Sequence, residues 1–212
     1  MATKVKICGL TNVDDAREAV SLGAWAIGMI FHDGSPRRCE LEDAAEIATA
    51  LRRKVELVGV FVNSPLDDVM GVLESVPLTI LQFHGDEGPS YCDEARRRTG
   101  LKLMKAVRVR DRAAVKALSA YRTDLHLMDA HVPGQWGGTG ERFDWELAAD
   151  HPREPPLVLS GGLEPDNVAG AIATAHPFAV DVASGVEAAP GRKDHEKLKS
   201  FFAAVERAVT PA

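Results

Sequence analysis

Short apolar runs alternate with amphipathic stretches along almost the whole chain. Val5, Ile7 and Cys8 form the first run, β-branched at two positions and broken by Gly9. They predict a short buried strand that carries a thiol to its carboxyl end. Val13, Ala16, Ala19 and Val20 then recur at helical spacing over 12–22, with Asn12 as a cap and Gly23 as a stop. The same alternation repeats. Further strands are predicted at 24–31, 55–62, 78–83, 101–107, 124–130, 156–160 and 178–183. Further helices are predicted at 41–53, 65–74, 89–98, 111–120, 165–174 and 194–209, with a short one opening near Asp144. Pro65 and Pro89 suit a first helical turn. A longer loop over 131–142, holding Gly134, Gly137, Gly138 and Gly140, precedes the short helix.

Near-continuous apolar strands that alternate with amphipathic helices imply a parallel sheet buried on both faces. Eight strand-helix units in 212 residues suggest closure into a (β/α)8 TIM barrel, read as a single catalytic domain over 1–212. An open doubly wound sheet is the alternative. It usually carries a Gly-x-Gly-x-x-Gly phosphate turn after its first strand, and none stands after Cys8. In a barrel, the carboxyl ends of the strands are the functional inventory.

Composition narrows the partners. The formal net charge of −6 offers no basic stripe for a nucleic-acid backbone, although local groups can hold a small anion. Cys8, Cys39 and Cys92 are an odd number with no paired metal spacing, which points to a reducing compartment and to neither a disulfide framework nor a metal site. No apolar run is long enough to span a bilayer, and the amino terminus shows no apolar targeting run. The expectation is a cytoplasmic protein with no membrane or nucleic-acid partner.

The predicted strand ends carry Cys8, Arg37, Asn63, His84 and Asp129, then Ser160-Gly161-Gly162, and finally Asp181 with Ser184-Gly185. Gly161, Gly162, Ser184 and Gly185 suit a phosphate site, because glycine turns after the last two strands let backbone N–H groups approach the oxygens. Tight turns alone would also use glycine there. Cys8 and Asp129 can form an acid/base pair if the thiolate is favoured and the carboxyl kept protonated. A cation or helix amino terminus near Cys8 and an apolar wall around Asp129 would achieve this. Other readings are a nucleophilic Cys8–His84 pair, and for Asp129 a helix cap or an ion pair with Arg142. Arg37 can grip a carboxylate in bidentate fashion, or be a solvated surface charge. His126, inside a strand, and His131, in the loop, receive no role. Trp136 either covers a ligand or packs its loop, and the acidic residues over 40–46 form a solvated helix face.

One ordered set of motifs goes further. Lys6-Ile7-Cys8-Gly9-Leu10-Thr11, Ser35-Pro36-Arg37, Val58-Gly59-Val60-Phe61-Val62-Asn63 and Gln82-Phe83-His84-Gly85-Asp86-Glu87 belong to it. So do Gly137-Gly138-Thr139-Gly140 with Phe143-Asp144-Trp145, Leu159-Ser160-Gly161-Gly162-Leu163 and Asp181-Val182-Ala183-Ser184-Gly185-Val186-Glu187. Over essentially the whole chain this set resembles the phosphoribosylanthranilate isomerases of tryptophan biosynthesis. The resemblance implies an Amadori rearrangement of N-(5-phosphoribosyl)anthranilate without a cofactor, Cys8 as general base and Asp129 as general acid. It also implies Arg37 near the anthranilate group, Asp181 in the substrate pocket, and Gly161, Gly162, Ser184 and Gly185 on the phosphate. The partner is a small phosphorylated substrate, and the protein a monomer or homodimer. Arg38 stands where relatives often have an aromatic, Phe83 where leucine is usual, and Ala183 where serine is frequent. The related histidine-pathway isomerase would need a second phosphate turn in the first half, where Asn63-Ser64-Pro65 stands instead. A catalytically inert barrel that senses phosphorylated metabolites would not need both Cys8 and Asp129.

Overall fold

Each strand has to bury two rows of side chains, and a closed sheet ringed by helices provides a place for both. The computed structural model describes residues 2–130, 145–152 and 154–209. In it β1 (Lys4–Cys8), β2 (Ala26–Ile30), β3 (Glu56–Phe61), β4 (Ile80–Phe83), β5 (Lys102–Val109), β6 (Leu125–Ala130), β7 (Leu157–Leu159) and β8 (Ala179–Val182) pair in parallel and close in sequence order. The closing seam sets Lys4 opposite Ala179 and Lys6 opposite Asp181. The helices are α1 (Val13–Ser21), α2 (Leu41–Leu51), α3 (Leu66–Ser75), α4 (Pro89–Thr99), α5 (Arg112–Ala117), α6 (Trp145–Ala149), α7 (Val168–Ala175) and α8 (His195–Val209).

The period of two along each strand sorts the core into two layers. Val5 and Ile7 turn outward into the cluster shared with Ala16, Ala19 and the other helix faces. Cys8 turns inward among Ala26, Val58, Val60, Ile80 and Met104. Lys6, two residues before Cys8, is fully buried as well. Helix ends follow the local chemistry read above: Asn12 Oδ1 accepts the Asp15 N–H at 2.9 Å, and Pro89 opens α4. Among the described residues no helix is long and apolar enough to cross a membrane.

Three details depart from the expected pattern. The helix expected from Pro165 begins at Val168, because the Asn167 side chain accepts the Glu164 N–H and donates to the Gly162 carbonyl, both at 2.8 Å, forming a turn first. The helix expected over 111–120 tightens after Ala117 into a 3₁₀ turn, Leu118–Ala120. Beyond β8, a 3₁₀ turn (Ser184–Val186) leads into an antiparallel ribbon of β9 (Glu187–Ala189) and β10 (Arg192–Lys193), which the pattern had not suggested. The glycine-rich stretch with His131, Gly134, Trp136, Gly137, Gly138, Gly140 and Arg142, and the helix start near Asp144, lie outside the described residues.

His126 turns outward from β6, and its Nδ1 lies 2.9 Å from His151 Nε2. Burial, aided by the second imidazole, lowers the His126 pKa from 6.5 to about 4, and burial lowers that of His151 too. The unfolded chain therefore binds more protons than the native state between those values. Stability is fully present above about pH 6.5 and is lost as pH falls toward 4, by on the order of 3 kcal/mol from His126. His126→Phe is expected to flatten this part of a plot of urea midpoint against pH. An unchanged slope would remove the pair as its cause.

Candidate active site

Residues from all eight barrel strands or the loops after them converge on one opening at the carboxyl end, a cavity of about 120 Å³. Cys8, Arg37, Asp129, Gly161, Gly162, Asp181 and Ser184 all line it, and so do Gln82, His84, Arg108 and Ser160. Gly185 stands just outside the lining. Among the described residues no cluster of His, Cys, Asp and Glu is placed to hold a metal ion.

Cys8 shares its wall with two charges. Lys6 Nζ donates to Asp181 Oδ1 at 2.7 Å, and Ser160 Oγ donates to Asp181 Oδ2 at 3.0 Å, so both carboxylate oxygens are engaged. A Cβ on Gly28 would lie 2.8 Å from Cys8 Sγ and 3.2 Å from Lys6 Nζ, which shows thiol and ammonium converging over the same point of β2. Burial pushes the Cys8 thiol above its ordinary pKa; Lys6 and Lys193 oppose that rise, and Asp181 adds to it. Burial works on Lys6 in the other sense, but Asp181 and the Cys8 sulfur outweigh it and leave the ammonium more firmly protonated than usual. The cation expected near Cys8 is therefore present, while the net thiol pKa is raised.

Arg37 is engaged from behind. Its Nε lies 2.9 and 3.0 Å from the two Glu187 oxygens, and its Nη2 donates to Oε2 at 2.8 Å. Glu187 in turn accepts from Lys193 Nζ at 2.8 Å. Burial disfavours the charge on Glu187, but Arg37 and Lys193 prevail and hold its pKa below the usual value. The Nε edge of the guanidinium is thus occupied, and Arg37 still borders the opening. Gly9, at φ +73°, gives it room, since a Cβ there would meet Arg37 Cδ at 2.8 Å.

Asp129 is buried, and its expected apolar wall is interrupted by an imidazole. His84 Nε2 lies 3.2 Å from Asp129 Oδ2, and Gln82 Nε2 lies 3.1 Å from His84 Nδ1. With the Gln82 amide donating, His84 carries its proton on Nε2 and donates to the carboxylate. With the amide reversed, Nδ1–H donates to Gln82 and Nε2 accepts from a protonated Asp129. His84 is thus the neighbour of Asp129. The Arg142 partner weighed for Asp129 lies outside the described residues.

Gly161 and Gly162 take φ +95° and +62° as the chain turns out of β7, a conformation that side chains disfavour. Gly185 has another reason to be glycine: a Cβ there would overlap the Leu163 carbonyl, backbone that cannot swing aside. Gly185→Ala is expected to destabilise by about 1–3 kcal/mol through overpacking. Gly71→Ala, in α3 with open space around it, should stabilise by about 0.5–1 kcal/mol. Opposite shifts of the urea midpoint verify the pair; shifts of one sign contradict it.

Lys6, Gln82, Glu187 and Lys193 were not assigned roles from the sequence. Lys6 had a signal, a charge two residues before Cys8 in an apolar strand and hence on the same face. Lys193 had none, because its place depends on the β9–β10 ribbon.

Residues 5–204 match the family model described as N-(5'phosphoribosyl)anthranilate (PRA) isomerase. A protein named N-(5'-phosphoribosyl)anthranilate isomerase from Geobacter sp. (strain M21) is 48% identical over 205 residues, covering 97% of this chain and 98% of the relative. The crystal structure of phosphoribosyl anthranilate isomerase from Thermotoga maritima superposes with a TM-score of 0.88 at 40% identity, over 97% of this chain and 99% of that one. A phosphoribosyl anthranilate isomerase in complex with reduced 1-(o-carboxyphenylamino)-1-deoxyribulose 5-phosphate superposes with a TM-score of 0.84 at 39% identity, over 97% and 99% of the two chains. With its closed eight-stranded barrel and a match over nearly its full length, the chain belongs to the N-(5'-phosphoribosyl)anthranilate isomerase family.

Proposed function

We propose that this isomerase converts N-(5-phosphoribosyl)anthranilate into 1-(2-carboxyphenylamino)-1-deoxyribulose 5-phosphate with Asp129 as general acid and Cys8 as general base. The observation that carries the assignment is that both groups border one opening from strands β6 and β1, with the Gly161-Gly162 turn beside them. The phosphate is held at Gly161, Gly162, Ser184 and Gly185, the anthranilate carboxylate faces Arg37, and Asp181 borders the sugar. The complex of a relative with a reduced product analogue supports a phosphorylated ligand in this opening.

Asp129 protonates the ribose ring oxygen. The C1′–O bond breaks, its electron pair stays on oxygen, and the nitrogen lone pair forms a C1′=N iminium. Cys8 thiolate then removes the C2′ proton, whose bonding pair becomes C1′=C2′ and returns the nitrogen to neutrality as an enolamine. Ketonisation moves one proton onto C1′ and releases another from the C2′ hydroxyl, so the isomerisation gains and loses none. One group must hold its proton while the other lacks it, and the two work at different atoms of the sugar, which is why an acid and a base stand at separate places on the rim.

The bisphosphorylated substrate of the histidine-pathway isomerase fits less well. After β3, Asn63 accepts the Asp86 N–H and donates its own N–H to Glu87, so this turn ties loops together where a second phosphate would have to sit.

Purified protein added to freshly made phosphoribosylanthranilate should quench its anthranilate fluorescence as product forms; absence of turnover would defeat the proposal. Cys8→Ser and Asp129→Asn should each lower kcat roughly 10²–10⁴-fold while a product-like ligand still binds. Near-normal turnover in either would remove that residue from the mechanism. Gly28→Ala, which pushes Cys8 Sγ and Lys6 Nζ aside, should lower kcat on the order of a hundredfold with the fold intact. Wild-type kcat in that variant would show that the thiol tolerates displacement.

A further inference from the structure

We infer that Lys6 is the positioning residue that balances the Cys8 thiolate, so that the base of the reaction works as one half of a buried thiolate–ammonium pair. This rests on the assignment of Cys8 as base and adds the group through which that base becomes ionised. Lys6 and Cys8 project from the same face of β1, and their heads meet over Gly28, where β2 presents no side chain. Lys6 is fully buried, and the carboxylate it faces across the β1–β8 seam has its second oxygen taken by Ser160.

The charges around the sulfur explain why the ammonium is needed. β1 contributes Lys6, β8 Asp181, β9 Glu187, β10 Lys193 and the loop after β2 Arg37. Three cations against two carboxylates leave one positive charge over, which an ionised Cys8 neutralises. Across the opening stand His84, Arg108 and Asp129. Within the near cluster, Arg37 and Lys193 are bonded to Glu187, and although Lys193 also favours the thiolate, Lys6 is the cation that both pairs with a carboxylate and reaches the sulfur as a hydrogen-bond donor. Burial opposes the thiolate, and among the neighbouring charges Lys6 counters that most strongly. A lysine too screened by Asp181 to reach the sulfur would leave the ionisation of Cys8 indifferent to its charge.

The test reads the thiolate without substrate. Ultraviolet thiolate absorbance, taken as the difference between each protein and its Cys8→Ser counterpart, is followed from neutral to alkaline pH. Lys6→Gln keeps a donor toward Asp181 and removes the charge. Its midpoint should rise by at least one pH unit, and its kcat/KM at neutral pH should fall at least tenfold. Lys6→Arg, which keeps the charge, should return the midpoint toward wild type. If Lys6→Gln does not fold, Lys6→Gln/Asp181→Asn removes both charges together. Its midpoint should also rise, because the pull of the ammonium on the sulfur exceeds the push of the carboxylate. A wild-type midpoint in the folded charge-removed variant overturns the inference. A shifted midpoint in a protein that fails to turn over phosphoribosylanthranilate would leave the Lys6–Cys8 pair standing and remove the assignment of that pair to this reaction.

Discussion

The pairing of β8 with β1 closes the barrel, and at that seam Lys6 meets Asp181 at 2.7 Å. A buried ion pair is tolerated only when its remaining hydrogen-bonding capacity is used, since an orphaned charge in such a place costs several kcal/mol. Here Ser160 takes the second carboxylate oxygen, so the residue that follows β7 completes the junction of β1 and β8. The same register that joins first and last strands places Cys8 one step above the pair, at the mouth. Closure of the fold and construction of the wall around the thiol are therefore one event.

The ribbon after β8 extends that construction. Lys193 N–H donates to Asp15 Oδ2 at 2.8 Å, and Thr11 Oγ1 donates to the Gly191 carbonyl at 2.6 Å, which anchors the ribbon to the first turn of α1 and the loop before it. Burial alone would raise the pKa of Asp15, but the Lys193 N–H, Asn12 and His195 outweigh it and hold the carboxylate ionised. The helix start that Asn12 caps is therefore also the clamp for the ribbon. Through Lys193 and Glu187 this clamp extends to Arg37, so the Arg37 side of the opening is braced by residues from both ends of the chain. Such bracing limits how far a guanidinium or thiol strays from a reacting position, and small displacements are expensive in rate.

Much of this was legible beforehand, for a local reason. Apolar residues at a period of two and at helical spacing report whether a segment buries two faces or one, and Asn12, Pro89 and the glycines after the strands mark where segments end. The strand ends followed, and with them Cys8, Arg37, Asp129, Asp181, Gly161, Gly162 and Ser184 as residues that meet at one opening. The late start of α7 escaped this reading because the Asn167 side chain was spent on a turn. The ribbon escaped it because segments of three and two residues carry too little periodicity to register.

The amino-acid sequence by itself determined the alternation of strands and helices, the barrel it implies, and the placement of a thiol, a carboxyl group and glycine turns at strand ends, because each of these depends on neighbours a few residues away. Tertiary structure alone decided who touches whom. Lys6 and Asp181 are 175 residues apart, Arg37 and Glu187 150, His84 and Asp129 45. Their meetings depend on the register of closure and the path of the ribbon. That is why the acid gained an imidazole neighbour, why the arginine gained a carboxylate at its back, and why the lysine beside the thiol showed itself only once the barrel had closed.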